Sequence, residues 1–147
     1  MGERMASDLK VRESFSRQGA MALIGARIVE LRDGYCALAL TPRSEISQQH
    51  GFVHAGIVAT LVDSAGGYAG YSMFPEDSSV LTVEFKLNLL APAQGEEIVA
   101  EGFVVKSGRT LTITRGEVHA VQAGARKLVA IMQQTLMTMH GKRDDGR

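Results

Sequence analysis

The chain has 147 residues, equal numbers of acidic and basic side chains, and one cysteine, Cys36. The balance leaves no electrostatic footprint for a nucleic acid, and a lone cysteine excludes an internal disulfide and fits a reducing compartment. The length suits one domain, 1–147, with a substantial core, and an N-terminus that mixes acids and bases without an apolar leader makes the cytoplasm the expected location.

Residues 7–19, SDLKVRESFSRQG, predict a short helix with Ser7 as its N-cap and Leu9, Val11 and Phe15 on one loosely apolar side. Two apolar runs, 22–31 and 35–41, flank Arg32-Asp33-Gly34, and an Asp-Gly pair between such runs signals a hairpin. Cys36 lies in the second run with no base near it in sequence, so it reads as a packed side chain rather than a nucleophile. A polar loop, 42–51, leads into the most apolar stretch of the chain.

From His54 to Phe74 there is no proline before the last residue's neighbour and a single charge, Asp63. Such a stretch predicts a helix roughly 30 Å long, apolar nearly all round and therefore buried. One face gathers Gly56, Ala59, Thr60, Gly66, Gly67 and Gly70 around Asp63, a carboxylate in a groove of small residues. Each interior glycine costs roughly 1 kcal/mol relative to alanine, so close approach of a ligand or backbone is the expected reason for them. A membrane span is disfavoured, because a central acid costs roughly 2.5–3.5 kcal/mol to insert and the flanks lack basic residues and aromatic belts.

After Pro75 the pattern becomes strand-like. Residues 79–90 alternate, with Leu81, Val83, Phe85, Leu87 and Leu89 on one face and Thr82, Glu84, Lys86 and Asn88 on the other. Further strands are expected over 97–106, 109–120 and 128–139, separated by turns at Ser107-Gly108 and around Gly124, and the tail from about 140 to 147 is expected to fray. Short turns make antiparallel pairs, and the long helix is the element able to cover their apolar face. The expected class is α+β, with about six antiparallel strands.

Gln48-Gln49-His50-Gly51-Phe52-Val53-His54-Ala55-Gly56, followed by Asp63, closely resembles the signature of the phenylacetate-degradation (PaaI-like) hotdog thioesterases. The resemblance continues through 82–90, Ala91-Pro92, Gly95 and Ser107-Gly108-Arg109, covering about residues 20 to 139. It implies a hotdog fold, a sheet wrapped around one central helix, and a cofactor-independent acyl-CoA thioesterase working as a dimer or tetramer with sites at subunit interfaces. Asp63 then acts as nucleophile or general base, and the Gly56 N–H, in the first helical turn where donors are unpaired, receives the oxyanion. Gln48, with Gln49 as competitor, supplies an amide that orients water or thioester; His54 holds the loop and helix start. Thr82 matches a position from which a Ser or Thr of the neighbouring subunit reaches the site. Ser107, Gly108 and Arg109 match a turn near the CoA, Arg109 suiting a phosphate, while Gly67 leaves room for the acyl group.

Two rival functions stay open at this point: a hotdog hydratase or dehydratase acting on acyl thioesters, and a non-catalytic acyl-CoA sensor. A metal site is not expected: His50 and His54 are four apart, but Gly51 and the helix start fall between them and no third ligand is near.

Overall fold

The structure, a computed structural model, describes residues 2–145. In chain order these form α1 (Gly2–Arg17), α2 (Gly19–Ile24), β1 (Arg27–Arg32), β2 (Tyr35–Leu40), a 3-10 turn (Ser44–Ile46), α3 (Ala55–Tyr71), β3 (Ser78–Leu89), β4 (Glu97–Ser107), β5 (Leu111–Gln122) and β6 (Ala125–His140). All six strands pair antiparallel in one sheet of order β1-β2-β4-β5-β6-β3. The sheet wraps α3, which packs against β2, β3, β4 and β5. This is the hotdog arrangement.

The N-terminal region departs from the sequence reading. Its helix begins at Gly2 rather than Ser7, and Ser7 spends its hydroxyl on the carbonyl of Ser72 instead of capping. Val11 is buried and Phe15 packs on the core, but Leu9 is exposed. Residues 19–24 form α2, not the start of a strand. Met21 and Ile24, three apart, bury one side of that turn, and Gly25 at φ 71° ends it in the left-handed region that glycine enters freely. The β1–β2 hairpin closes over Asp33-Gly34, with Arg32 opposite Tyr35. β6 starts at Ala125, earlier than expected, because Ala123 and Gly124 both take positive φ (51° and 80°) and make a tight two-residue turn. The tail is tied down in part, since Asp144 pairs with Arg17 at 2.9 Å; residues 146 and 147 lie outside the described residues.

Glycines set how closely α3 sits on the sheet. Gly102 and Gly116 are cross-strand partners on β4 and β5. A Cβ on Gly102 would lie 2.4 Å from the Ala65 backbone, and one on Gly116 would lie 2.6 Å from a Val62 methyl. From the helix side, Gly66 and Gly70 press on β5 and β6, where added Cβ atoms would meet Gln134 at 2.2 Å and Leu136 at 2.4 Å. The expected groove of Gly66, Gly67 and Gly70 therefore divides: two of them face the sheet and only Gly67 opens outward, with nothing within 4 Å.

The alternation of β3 is also interrupted. The β3–β6 register shifts between Thr82 and Glu84, so Val83 is an extra, bulged residue. Opposite residues share a sheet face, so Val80 and Thr82 lie over Thr138 and Leu136 on the helix side. Phe85, Leu87 and Leu89 lie over Gln134, Met132 and Ala130 on that same side. Leu81 falls on the outer face. The single apolar face expected for 81–89 is thus split at the bulge, and Thr82 belongs to the helix side rather than to the face of Glu84 and Lys86.

Gly102→Ala should destabilise the fold by about 1–3 kcal/mol or more, since only backbone can give way there. Gly67→Ala should be neutral or stabilising by up to about 1 kcal/mol, from helix propensity alone. Urea unfolding midpoints of the two variants test this contrast.

Candidate active site

Asp63 occupies the middle of α3 and is half-buried. Its Oδ1 accepts two hydrogen bonds, from Thr82 Oγ1 at 2.7 Å and from Gln134 Nε2 at 2.6 Å. Gln134 Nε2 also reaches the Asp63 carbonyl at 3.1 Å, and Gln134 Oε1 accepts from Thr114 Oγ1 at 2.7 Å. Gln134 is fully enclosed, and its amide is oriented by contacts at both ends. Oδ2 accepts from no described residue. One oxygen is therefore anchored and the other is left for chemistry.

Gln134 is the residue that the sequence reading missed. It lies in the last strand as the second of two adjacent glutamines, and alternation on β6 sends Gln134 inward with Met132 and Leu136 while Gln133 turns out. A polar residue in phase with buried apolar neighbours was the available signal. Thr82, expected to reach a neighbouring subunit's site, is joined to Asp63 of its own chain.

Beside Asp63 opens a cleft of about 280 Å³ whose walls include Thr82, Gly67, Ser64, Tyr68, Ser14, Gln18 and Arg17. The remaining predicted residues lie elsewhere. His54 is the N-cap of α3, and its Nδ1 accepts the Gly56 N–H at 2.8 Å. Gly56 and Asp63 are seven residues apart, about 10 Å along the helix axis. A nucleophile and an oxyanion donor must each come within roughly 3 Å of one carbonyl group, so this pair does not close on one ester within the chain.

Gln48 accepts the N–H groups of His50 and Phe52 through its Oε1, folding residues 48–52 into a closed loop. Gln48, Gln49 and His54 line a second cleft, of about 450 Å³, with Leu89 and Leu90. Ser107, Gly108 and Arg109 belong to the β4–β5 turn, where Gly108 N donates to Leu111 O at 2.9 Å and the Arg109 carbonyl meets His140 Nε2 at 2.7 Å. Arg109 lies in the turn before β5, five residues ahead of Thr114 and up to about 16 Å away at strand rise. Within one chain the predicted residues thus form three groups rather than one.

Away from these clefts, Glu101, Glu117 and His119 form a partly buried group on the outer sheet face. Its charge is already met: Arg126 donates to Glu101 Oε1 at 3.0 Å, and Tyr35 donates to Glu101 Oε2. Cys36 is enclosed, and burial pushes its thiol up to about 12.

A family model described as the thioesterase superfamily matches residues 50–125. The crystal structure of a thioesterase family protein from Silicibacter pomeroyi is 47% identical, with a TM-score of 0.90 over 92% of this chain and 99% of that one. The PaaI protein of E. coli, from the phenylacetic acid degradation operon, shares the fold at 17% identity, with a TM-score of 0.83 over 95% of this chain and 97% of its own. A Halobacterium salinarum protein carrying an esterase name is 31% identical over 100 residues, 65% of this chain and 66% of its own length.

Burial and the raised thiol make Cys36 inert in the folded chain. A disulfide reagent at pH 8 should titrate no thiol in the native protein and one in denaturant; fast native labelling would contradict the packing.

Proposed function

The chain belongs to the thioesterase superfamily, and from that premise we propose that it hydrolyses acyl-CoA thioesters with Asp63 as the reacting carboxylate. Family membership supports acyl-thioester hydrolysis in general. The observation that carries the assignment to Asp63 is its asymmetry: Oδ1 is doubly held by Gln134 and Thr82, Oδ2 accepts from no described residue, and Asp63 lines an open cleft.

Two routes use that oxygen. As nucleophile, Oδ2 attacks the thioester carbonyl and the C–S bond breaks; the CoA sulfur leaves as a thiolate that takes a proton from solvent, and water opens the resulting anhydride to the free acid and the Asp63 carboxylate. As general base, Asp63 takes a proton from water as the water attacks, and that proton passes to the departing sulfur. Gln134 and Thr82 hold the carboxylate in one orientation for either route. No cofactor enters these steps; coenzyme A is part of the substrate.

The oxyanion donor is assigned to the Gly56 N–H of a second subunit. About 10 Å separates the two groups in one chain, whereas a dimer can bring Gly56 of one copy to Asp63 of the other. The ester oxygen then displaces His54 Nδ1 from that N–H or shares it, at a helix end whose dipole favours negative charge. The dimer contact is assigned to β3, which ends the sheet and exposes Leu81, Val83, Phe85 and Leu89. An apolar edge strand of this length favours pairing with another strand, and a two-fold axis makes that contact self-complementary. Such an edge also accommodates a dimer of dimers elsewhere on the surface.

In this arrangement Gln48 offers its amide Nε2, the end of the side chain that its loop leaves unused, to water or thioester. Ser107, Gly108 and Arg109 are assigned to the CoA end of the substrate. The free Cys36 suits a cytoplasmic protein, and no described helix is long and apolar enough to cross a membrane.

Thiol release from a panel of acyl-CoAs tests the reaction. Asp63→Asn and Asp63→Ala should each lower kcat by about 10² or more while unfolding at close to the wild-type midpoint. Wild-type rates in both variants would remove Asp63 from the chemistry.

The shared site has its own test. Gly56→Pro deletes the N–H, and proline is best tolerated in the first turn of a helix. Coexpressing Asp63→Ala with Gly56→Pro should yield mixed dimers that regain activity absent from either variant alone. No recovery in purified mixed dimers would place both groups on one chain.

A further inference from the structure

The cleft beside Asp63 has polar walls, although an acyl pocket needs only apolar ones. Ser14 of α1 and Tyr68 of α3 are nearly enclosed, at 6% and 5% exposure, and their hydroxyl oxygens lie 3.1 Å apart. Gln18 Nε2 donates to the Tyr68 hydroxyl at 2.9 Å, and Gln18 Oε1 accepts from Ser64 at 3.2 Å. All four side chains line the cleft.

The hydrogens of this group do not all have acceptors. Two hydroxyls carry two O–H hydrogens, and the Ser14–Tyr68 contact uses one of them, whichever oxygen donates. The other finds no acceptor among the described residues, nor does the second N–H of Gln18. Tyr68 stays a donor at neutral pH, because burial raises its phenol. Buried donors are almost always paired, and here a spare O–H of the enclosed Ser14–Tyr68 pair and a spare N–H of the half-buried Gln18 border the space next to the reacting carboxylate. Among the described residues, Val80 is the only aliphatic side chain of valine size or larger on that wall.

We propose that the Ser14–Gln18–Tyr68 group selects acyl chains that carry an oxygen acceptor at their far end, a hydroxyl or a carboxylate. The proposal rests on the thioesterase reading of Asp63 and adds the substrate class. Tyr68 lies five residues beyond Asp63, about 7.5 Å along the helix. Five or six carbons with C–C bonds of about 1.5 Å span that distance, and a cleft of about 280 Å³ suits a short chain. An oxygen there accepts the unpaired hydrogens, whereas a methyl group leaves them buried and unmet. A site built to hydrogen-bond its substrate rejects the analogue that lacks the polar group. At the cleft wall Arg17 is paired with Asp144, so a substrate carboxylate meets Arg17 by displacing Asp144.

Three esters of matched length decide the matter: hexanoyl-CoA, 6-hydroxyhexanoyl-CoA and adipoyl-CoA. The wild type should hydrolyse at least one oxygenated ester with kcat/KM about tenfold above hexanoyl-CoA. A hydroxyl preference assigns the selection to Tyr68 and Ser14, and an adipoyl preference brings Arg17 in as well. Tyr68→Phe and Gln18→Leu should bring the ratio close to one. Hexanoyl-CoA equal to or better than both oxygenated esters in the wild type overturns the inference and leaves the thioesterase reading standing. A ratio unchanged in folded Tyr68→Phe and Gln18→Leu overturns it too. No thiol release from any ester, on a panel that includes shorter and aromatic acyl groups, overturns the thioesterase reading and this inference with it.

Discussion

Everything around Asp63 depends on how near the backbone of α3 lies to the sheet. The spacing is fixed where side chains are missing: Gly102 and Gly116 stand opposite each other on β4 and β5, and Gly66 and Gly70 press down from the helix. Close packing of this kind makes dispersion contacts of backbone on backbone and leaves no slack for a methyl group. It also decides the chemistry. Gln134 fits against Gly66, and from there its amide reaches both the carbonyl and the carboxylate of Asp63. A larger residue at Gly66 would push Gln134 out and loosen the carboxylate. The helix-weakening glycines and the anchored acid are one arrangement.

The second determinant is the extra residue in β3. Regular alternation would place Thr82 on the same side as Glu84 and Lys86. The bulge at Val83 lets Thr82 turn inward to Asp63 and, two residues on, turns Phe85, Leu87 and Leu89 inward as well. Those side chains run along the edge of the sheet, and Phe85 and Leu89 remain exposed. One local irregularity therefore supplies a hydrogen bond to the acid and an apolar margin suited to a second copy. Bulges recur at sheet edges and beside active sites for this reason: they re-aim side chains where the strand bends and its twist increases.

Much of the fold was legible because its signals are local. Asp33-Gly34 closes the first hairpin, the apolar stretch after His54 makes the central helix, and the strands after Pro75 turn where glycine and polar residues cluster. What was not legible is non-local or a matter of parity. No window around Gln134 says that it lies beside a residue seventy-one positions earlier. The bulge leaves the pattern of 79–90 looking like an unbroken strand, and the groove glycines share a helical face on paper although a sheet covers two of them. Residues 22–24 read as the start of a strand until Gly25 is seen to end a helical turn. The motif residues Gln48, His54 and Gly56 were read as one site with Asp63. Helical rise alone separates His54 and Gly56 from it within one chain, a distance the sequence contains but a motif does not weigh.

The division between a rigid acid and a built-on wall suggests where specificity can change. Gln134, Thr114 and Thr82 are fixed by the glycine contacts and the bulge, so substitutions there disturb the packing and the anchors of Asp63 together. Ser14 and Gln18 come instead from α1 and the residue after it, which lie across α3 and bond to it through Ser64 and Tyr68. No glycine contact ties them to the sheet. Replacing a donor with an apolar group at these positions would alter which acyl end is tolerated while the carboxylate keeps its anchors. In the proposed reading, catalytic geometry is thus held by elements that meet across the core, and selection by a helix added at its margin.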